Sequence, residues 1–503
     1  MACMMLDDDN CYAALISRDA RFDGRFFTGV TSTGIYCRSV CSARKPKREN
    51  CTFFPHAAAA EQAGFRPCLI CRPELAPGQS LLESSSRLAW AAAQRIEAGA
   101  LDMLGVEGLA ARLGITDRHL RRIFAEAFGV TPIAYAQTQR LLIAKRLLMD
   151  TQLSVTRIAE ASGFASLRRF NDAFSEHYQL PPSALRKTRS TPAGEGICLS
   201  LSFRPPFDWA HLLGFLASRC IKGVEIVADG CYRRSVRLMR GGQVFTGWLS
   251  VCMNNKGNAL SVTLSDSLLP VLPDVLARLR RLFDLAADPD AIAAVLGPLA
   301  SDAPGVRLPG AFDGFEMTMR AILGQQVTVK AAHTLAGRFV QAFGEPIVTP
   351  FADIYTVFPS PERVAGLDTA LIGELGIVRQ RGQAMIELAK RVASDELDLE
   401  PAADVDKTLT QLEAIPGIGR WTSHYIAMRA LAWPDAWPSG DVALIKALGA
   451  TSAKSADVMV EQWRPWRAYA VIHLWRSLAK LPATNSMPQS NSDQHQSTTR
   501  DAS

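Results

Sequence analysis

Four cysteines stand as two close pairs, Cys37 and Cys41 in "GIYCRSVC" and Cys68 and Cys71 in "CLIC". Thiols at C-x3-C and C-x2-C spacing suit a tetrahedral zinc site, because each short loop returns a second sulfur to the same ion. Four unrelated buried cysteines are the competing reading, and the paired spacing argues against it. Zinc keeps a thiolate deprotonated at neutral pH. The sulfurs of a four-thiolate site stay electron-rich, because the site as a whole remains an anion. Between the pairs, "RKPKREN" sets Arg44, Lys45, Lys47 and Arg48 nearly side by side, a run suited to phosphate or simply to solvent. The other cysteines (Cys3, Cys11, Cys51, Cys198, Cys220, Cys231, Cys252) are scattered and read as small buried hydrophobes.

A second constellation lies far downstream, in "LEAIPGIGRWTSHYIAMRA" and "WPSGDVALIKAL". Ile415 to Gly419 reads as a tight hairpin between helices, with Ile415 and Ile418 anchoring it. Gly417 and Gly419 let backbone N–H groups approach a phosphate at the start of the next helix. Asp441 follows Gly419 by 22 residues, at the mouth of another helix. A helix N-cap is its ordinary role there, and catalysis is compatible with that role.

These residues need elements to position them. Residues 80–187 read as helices in which one pattern occurs twice. The first unit has a turn at Gly114, a cap at Thr116, and Leu120, Ile123, Phe124 and Phe128 on one face. Arg118, His119, Arg121 and Arg122 occupy its other faces. The second has a turn at Gly163, a cap at Ser166, an apolar face of Leu167, Phe170 and Phe174, and a polar face of Arg168, Arg169 and Asn171. A long helix from Pro132 to Leu148 joins them. Two such units reach adjacent major-groove segments about 34 Å apart. After a polar linker, Arg186 to Gly196, the stretches "ICLSLSF", "CYRRSVRLM", "QVFTGWLSV" and "ALSVTLS" alternate as short strands, with a helix at "DWAHLLGFLASR". From residue 276 the chain turns helical again.

The fold class expected is multidomain and mostly α. A small α+β zinc domain (1–78) precedes a helical double helix-turn-helix domain (80–187). A small α+β domain with an antiparallel sheet (197–275) precedes an all-α helix-hairpin-helix domain (276–483), and a polar, disordered tail (484–503) ends the chain. The length of 503 residues suits several domains, and 48% hydrophobic with 21% charged residues excludes a disordered chain. A net charge of +6 permits nucleic-acid binding without arguing for it. "MACMMLDDDN" lacks a basic segment before an apolar run, and no long apolar stretch follows. No membrane association is expected, and a cytoplasmic setting is, where disulfides are rare.

Three resemblances sharpen this. "DGRFFTGVTSTGIYCRSVC…FRPCLICRPE" resembles the zinc domain of the Ada family of adaptive-response proteins. That implies one zinc ion, both structural and reactive, held by Cys37, Cys41, Cys68 and Cys71. It also implies that Cys37 takes a methyl group irreversibly from a DNA methylphosphotriester. Methylation removes one negative charge, so affinity for DNA should rise. "GFASLRRFNDAF" and Pro181-Pro182 resemble the AraC-type DNA-binding domain. Full Ada proteins continue into a guanine-demethylating domain marked by Pro-Cys-His-Arg, and no such motif occurs here, so that activity is expected to be absent.

Residues 197 to 483 resemble the AlkA-type 3-methyladenine DNA glycosylase II family, in "PPFDWAHLLGFLASR", "RLPGAFDGFEMTMRAILGQQVTV" and "PGIGRWTSHYIAMRAL", among others. The resemblance implies base flipping, Asp441 as the catalytic carboxylate, and Trp421, Tyr425, Trp475 and Phe215 as the pocket for a cationic base. Gln326 falls where the family inserts an apolar wedge, usually leucine. There is one more residue between Asp441 and "LIK" than in the best-known member, and Gly440 replaces an acidic neighbour. Trp421 stands where lyase relatives carry a nucleophilic lysine, which implies base release without strand cleavage. Neither an iron–sulfur cluster nor an organic cofactor is expected. The expected partners are alkylated and promoter duplex DNA and RNA polymerase, with the chain acting as a monomer. The contrasting possibility is a transcription regulator whose glycosylase-like half only grips DNA.

Overall fold

A computed structural model describes residues 7–77, 87–186, 196–254, 257–401 and 404–480. The expected linker at 187–195 and the tail at 484–503 lie outside the described residues.

The first unit is built on a four-stranded sheet of β1 (Phe27–Val30), β2 (Ile35–Cys37), β3 (Cys51–Phe54) and β4 (Arg66–Pro67), ordered β3-β1-β2-β4. Phe27 and Tyr36 pack edge to face beneath the short helix Ala57–Gln62.

The helical region repeats as its sequence does. Helix Ala100–Arg112 breaks at Gly105, whose φ of +63° and ψ of −177° divide it ahead of the "VEGLAAR" turn of helix. Gly114 then turns at φ +70°, and Thr116 caps helix Asp117–Phe128 by accepting from the His119 N–H. Ser166 caps helix Leu167–Tyr178 in the same way, through Arg169 N–H. Phe170 and Phe174 are buried as expected. Leu167, expected on the apolar face, is exposed instead, because the first residue of that helix projects past the core. The connecting helix runs Pro132–Asp150, two residues beyond its expected end.

The next unit is an antiparallel sheet of β5 (Ile197–Ser202), β6 (Glu225–Ala228), β7 (Cys231–Arg240), β8 (Gln243–Asn254) and β9 (Ala259–Leu264), ordered β5-β9-β8-β7-β6. β6 was not anticipated; its four residues are too few to show alternation. Two of the cysteines read as buried hydrophobes are corrected by the register. Cys231 faces Cys252 across β7 and β8 with their Cα atoms 4.4 Å apart, and the two form a disulfide. Cys198 is exposed rather than buried.

The last unit is helical apart from one short antiparallel strand pair, Glu345–Pro346 with Thr356–Val357, which the all-α expectation missed because each strand is only two residues long. It holds two apolar cores, one around Phe339, Met385 and Ile415 and one around Trp437, Trp466 and Val471. Among the described residues no helix is long and apolar enough to cross a membrane.

Candidate functional site

Parallel pairing sets the first site. β2 and β4 run side by side with Tyr36 opposite Pro67, so the two cysteine-bearing turns leave the same end of the sheet. The four Sγ atoms of Cys37, Cys41, Cys68 and Cys71 all lie within 4.8 Å of one another, with Cys41 and Cys68 at 4.0 Å. A tetrahedral zinc with bonds of about 2.3 Å spaces its sulfurs roughly 3.8 Å apart, so this donor set fits one zinc ion. Hydrogen bonding among the sulfurs splits their acidities. Cys41 and Cys68 push the Cys37 thiol up, while Cys37 draws Cys41 down to about 7. A dication would remove the conflict by holding all four as thiolates. Backbone N–H groups of Arg38 and Ile70 also donate to Sγ of Cys71 (3.4 Å) and Cys68 (3.3 Å), which favours the ionised form. Cys37 is 9% exposed, and Cys71 is the most open of the four.

Two buried contacts fix this cluster to the rest of the chain. Arg38, next to Cys37, pairs with Asp23 and donates to the Cys71 carbonyl at 3.1 Å. The Asp23 carbonyl accepts from the fully buried Arg204 at 3.0 Å, just beyond β5. On the other side Lys145, fully buried in the connecting helix, donates to the Cys68 carbonyl (3.0 Å) and to Glu74 (2.6 Å). Arg72 grips Asp150 of the same helix at 2.6 and 2.8 Å. None of these was anticipated, because a lone lysine or arginine reads as surface.

The basic run between the thiol pairs is divided. Arg44, Lys45 and Lys47 are exposed, while Arg48 reaches Asp8 and Asp9 at 3.3 Å each. On the first hairpin Arg118 is free-standing, Arg121 pairs with Asp117 (3.0 Å), and Arg122 pairs with Glu126 (2.8 Å) and donates to His119 Nδ1 (3.2 Å). On the second, Arg168 and Arg169 are exposed and Asn171 is half-buried.

The second site grows from helix Arg420–Arg429. Gly417 turns the preceding hairpin at φ +98°, Ile415 and Ile418 are buried beneath it, and Gly419 begins the helix. Trp421, Tyr425 and Arg429 recur every four residues and so share a face. Trp421 and Tyr425 stack with centroids 5.4 Å apart and planes 7° apart, and Trp475 leans on Tyr425 at 6.3 Å. These three rings line a cavity of about 360 Å³, together with Arg219 and Arg429. Asp441 caps helix Val442–Ala447, its Oδ1 accepting from Leu444 N–H at 2.9 Å. Its Oδ2 accepts from the Trp421 indole N–H at 3.1 Å. The carboxylate is thus both a helix cap and a partner of the aromatic wall.

Phe215, expected among the pocket rings, does not line this cavity. Its ring carries the guanidinium groups of Arg219, at 3.8 Å, and Arg429, at 4.8 Å. Arg429 also donates to the Tyr425 hydroxyl at 2.9 Å. Burial works to raise the Tyr425 phenol, but Arg429 and Arg219 outweigh it and hold the phenol below its ordinary range. Sequence spacing carried this signal: Arg429 follows Tyr425 by four residues, and Arg219 follows Phe215 by four.

Gln326 is exposed at φ +53°, between helices Gly314–Leu323 and Val329–Phe343. Left-handed backbone in a non-glycine residue is a strained way to aim a side chain outward. Its neighbour Gln325, unanticipated, donates to the Gly417 carbonyl (2.8 Å) and to Thr422 Oγ1 (3.0 Å). Gln325 thereby ties the Gln326 loop to the glycine hairpin.

Comparison with known proteins places four family descriptions end to end along the chain. They are the metal binding domain of Ada at 10–74, a helix-turn-helix domain at 109–188, the AlkA N-terminal domain at 198–313, and the HhH-GPD superfamily of base excision DNA repair proteins at 319–467. A probable bifunctional transcriptional activator/DNA repair enzyme AlkA of Mycobacterium tuberculosis is 39% identical over 94% of this chain and 97% of its own. DNA-3-methyladenine glycosylase 2 of Escherichia coli is 37% identical over 55% of this chain and 96% of its own. The bifunctional transcriptional activator/DNA repair enzyme Ada of Escherichia coli is 34% identical over 31% of this chain and 43% of its own.

Proposed function

Because the chain belongs to the family of bifunctional transcriptional activator/DNA repair enzymes that join Ada-type and AlkA-type parts, we propose that it meets alkylation damage in three linked ways. It removes methyl groups from the DNA backbone at Cys37, binds promoter DNA through its two helical hairpins, and excises alkylated bases at Asp441. The observation that carries the catalytic part is the Trp421 N–H bond to Asp441, which joins a carboxylate to the aromatic wall of a base-sized cavity.

At the first site zinc, held by Cys37, Cys41, Cys68 and Cys71, keeps the sulfurs ionised when bound. The Cys37 sulfur attacks the methyl carbon of a methylphosphotriester. The new S–C bond forms as the C–O bond breaks, and the phosphodiester leaves with the electron pair. No base is needed, because the sulfur is already a thiolate, and no acid is needed, because the phosphodiester leaves as a stable anion. Arg38 steadies the nucleophile's strand, and exposed Arg44, Lys45 and Lys47 meet neighbouring phosphates. The methylated site repels DNA less, so the hairpins bind promoters more tightly, and the bound protein presents itself to RNA polymerase. Two hairpins in one chain remove the usual need for a dimer. The protein acts as a monomer on chromosomal DNA in the cytoplasm.

At the second site the glycine hairpin holds backbone phosphate while Gln326 fills the gap of a flipped nucleotide. Trp421, Tyr425 and Trp475 receive the base. A cationic alkylated base leaves with the electrons of its glycosidic bond and departs neutral. Asp441 faces the sugar, where its charge stabilises the oxocarbenium-like state and orients the water that adds to the anomeric carbon. With tryptophan at 421 no amine attacks the sugar, and the abasic strand stays intact.

Base release from methylated duplex DNA, compared between the protein and Asp441→Asn, tests this. Asparagine still caps the helix, so folding is retained while release falls about a hundredfold or more. Equal release from both proteins would remove Asp441 from catalysis. Release from neither would leave the helical half as a module that grips DNA.

A further inference from the structure

A separate cavity of about 220 Å³ lies where the zinc-binding unit, the helical hairpins and the glycosylase meet. Three arginines, Arg146, Arg280 and Arg281, and three acids, Glu74, Glu97 and Asp284, line it. Each acid already has a partner, in Lys145, the Tyr135 hydroxyl and the Tyr469 hydroxyl respectively, and Arg281 pairs with Glu400. Arg146, on the connecting helix, is 3% exposed; its guanidinium donates to the Ser200 carbonyl, and its Nε has no hydrogen-bond partner. The acids in its field are engaged elsewhere, Asp150 with Arg72 and Glu74 with Lys145. Arg280, in the last turn of helix Leu272–Leu282, faces the same cavity and makes no hydrogen bond or salt bridge among the described residues. The acid that offsets it is Glu97, whose carboxyl already accepts from the Tyr135 hydroxyl at 2.6 Å and is itself pushed up by burial. Gln94 also lines the cavity, and its Oε1 is buried without a partner.

A buried guanidinium cannot relieve this by shedding its proton in the way a lysine does. Burial, and then the charge of Arg280, pull Arg146 down to about 9, and burial also pulls Arg280 down. The remedy left is an anion between them. We propose that this cavity binds a small phosphate-class oxyanion, gripped by Arg146 from the helical-hairpin unit and Arg280 from the glycosylase unit. An occupant there touches both DNA-handling parts and pins them together. Free phosphate and the phosphate of a nucleoside 5′-monophosphate share this chemistry.

Full-length, zinc-loaded protein is titrated calorimetrically with inorganic phosphate, and separately with a nucleoside 5′-monophosphate, at fixed ionic strength in chloride. One saturable site per chain is expected, weakened about tenfold or more in Arg280→Gln and unchanged in Lys454→Ala, which removes an exposed cation on helix Ala453–Met459. Displacement of phosphate by the monophosphate identifies a nucleotide as the occupant, and failure to displace it identifies the free anion. Thermal unfolding keeps the test open if Arg280→Gln changes the fold. In phosphate-free buffer that variant melts above wild type, because the repulsion is gone, and added phosphate narrows the gap. Gln94→Glu, which supplies an internal anion, should also lose phosphate binding. No saturable binding, equal affinity in wild type and Arg280→Gln, or a variant that melts lower in both buffers would overturn the proposal.

Discussion

At the residue scale, each site depends on a side chain doing two jobs. Trp421 is a wall of the cavity and a donor to Asp441. Trp421→Phe keeps a ring and loses the donor, so base release should fall about tenfold, the worth of one hydrogen bond to a charged group, with affinity for lesion DNA little changed. Single-turnover kinetics beside a binding titration separates the two effects. Gln326 sits at φ +53°, a conformation that costs about 1 kcal/mol or more in a non-glycine residue. Gln326→Gly should therefore raise the melting temperature while lowering base release, because the strain is relieved and the wedge is lost. A variant that melts lower and excises normally would contradict that role. Residue types at fixed spacing were legible here: the four thiols, the Pro-Gly-Ile-Gly hairpin and Asp441 all declare themselves locally. Arg219 and Arg429 stand four residues after Phe215 and Tyr425, a spacing the sequence shows, but their meeting over the Phe215 ring depends on two helices packing together.

At the element scale, the connecting helix Pro132–Asp150 does more than join two hairpins. Its buried Lys145 holds the Cys68 carbonyl and Glu74, and its last residue holds Arg72. Lys145→Met should destabilise the zinc-binding unit by about 3 kcal/mol or more, because Glu74 is left buried with one fewer cation. Adding Glu74→Gln should recover much of that loss in a denaturant series. A second element contact is sensitive to pH. Asp284, between helix Leu272–Leu282 and helix Arg467–Lys480, accepts from Tyr469 (2.8 Å) and Leu308 N–H (3.1 Å), yet burial raises its carboxyl to about 6. The folded state holds that proton more tightly than the unfolded chain, so stability from this group falls as pH rises from about 4 to about 6. Asp284→Asn should flatten that part of the stability profile. The caps Thr116 and Ser166 and the turns at Gly114 and Gly163 were readable in the sequence because their signals are local. β6, the Cys231–Cys252 pairing and the buried Lys145 were not, since register and burial belong to pairs of distant segments.

At the scale of the whole molecule, the zinc-binding unit is fastened on two sides, to the connecting helix and, through Asp23 and Arg204, to the glycosylase half. Chelating zinc should therefore lower the unfolding temperature of the glycosylase as well as that of its own unit, read by the rate of thermal loss of base release. One helix separates the glycine hairpin from the docking contacts of the helical-hairpin unit. Gly417 packs near Gln380 in the first turn of helix Arg379–Ala393, whereas Arg112 and Arg95 of the hairpin unit reach Asp395 and Asp398 just beyond its other end. That helix is about 22 Å long, so the glycine hairpin and the ion pairs to the helical-hairpin unit sit at opposite ends of it. On the proposed function, one chain senses backbone damage by repairing it. Peptide mass spectrometry of the zinc-loaded protein after exposure to methylated DNA tests this most directly. A single added methyl on Cys37 is the expected result. A methyl on Cys71 instead, or an unmodified Cys37 with zinc retained, would contradict it.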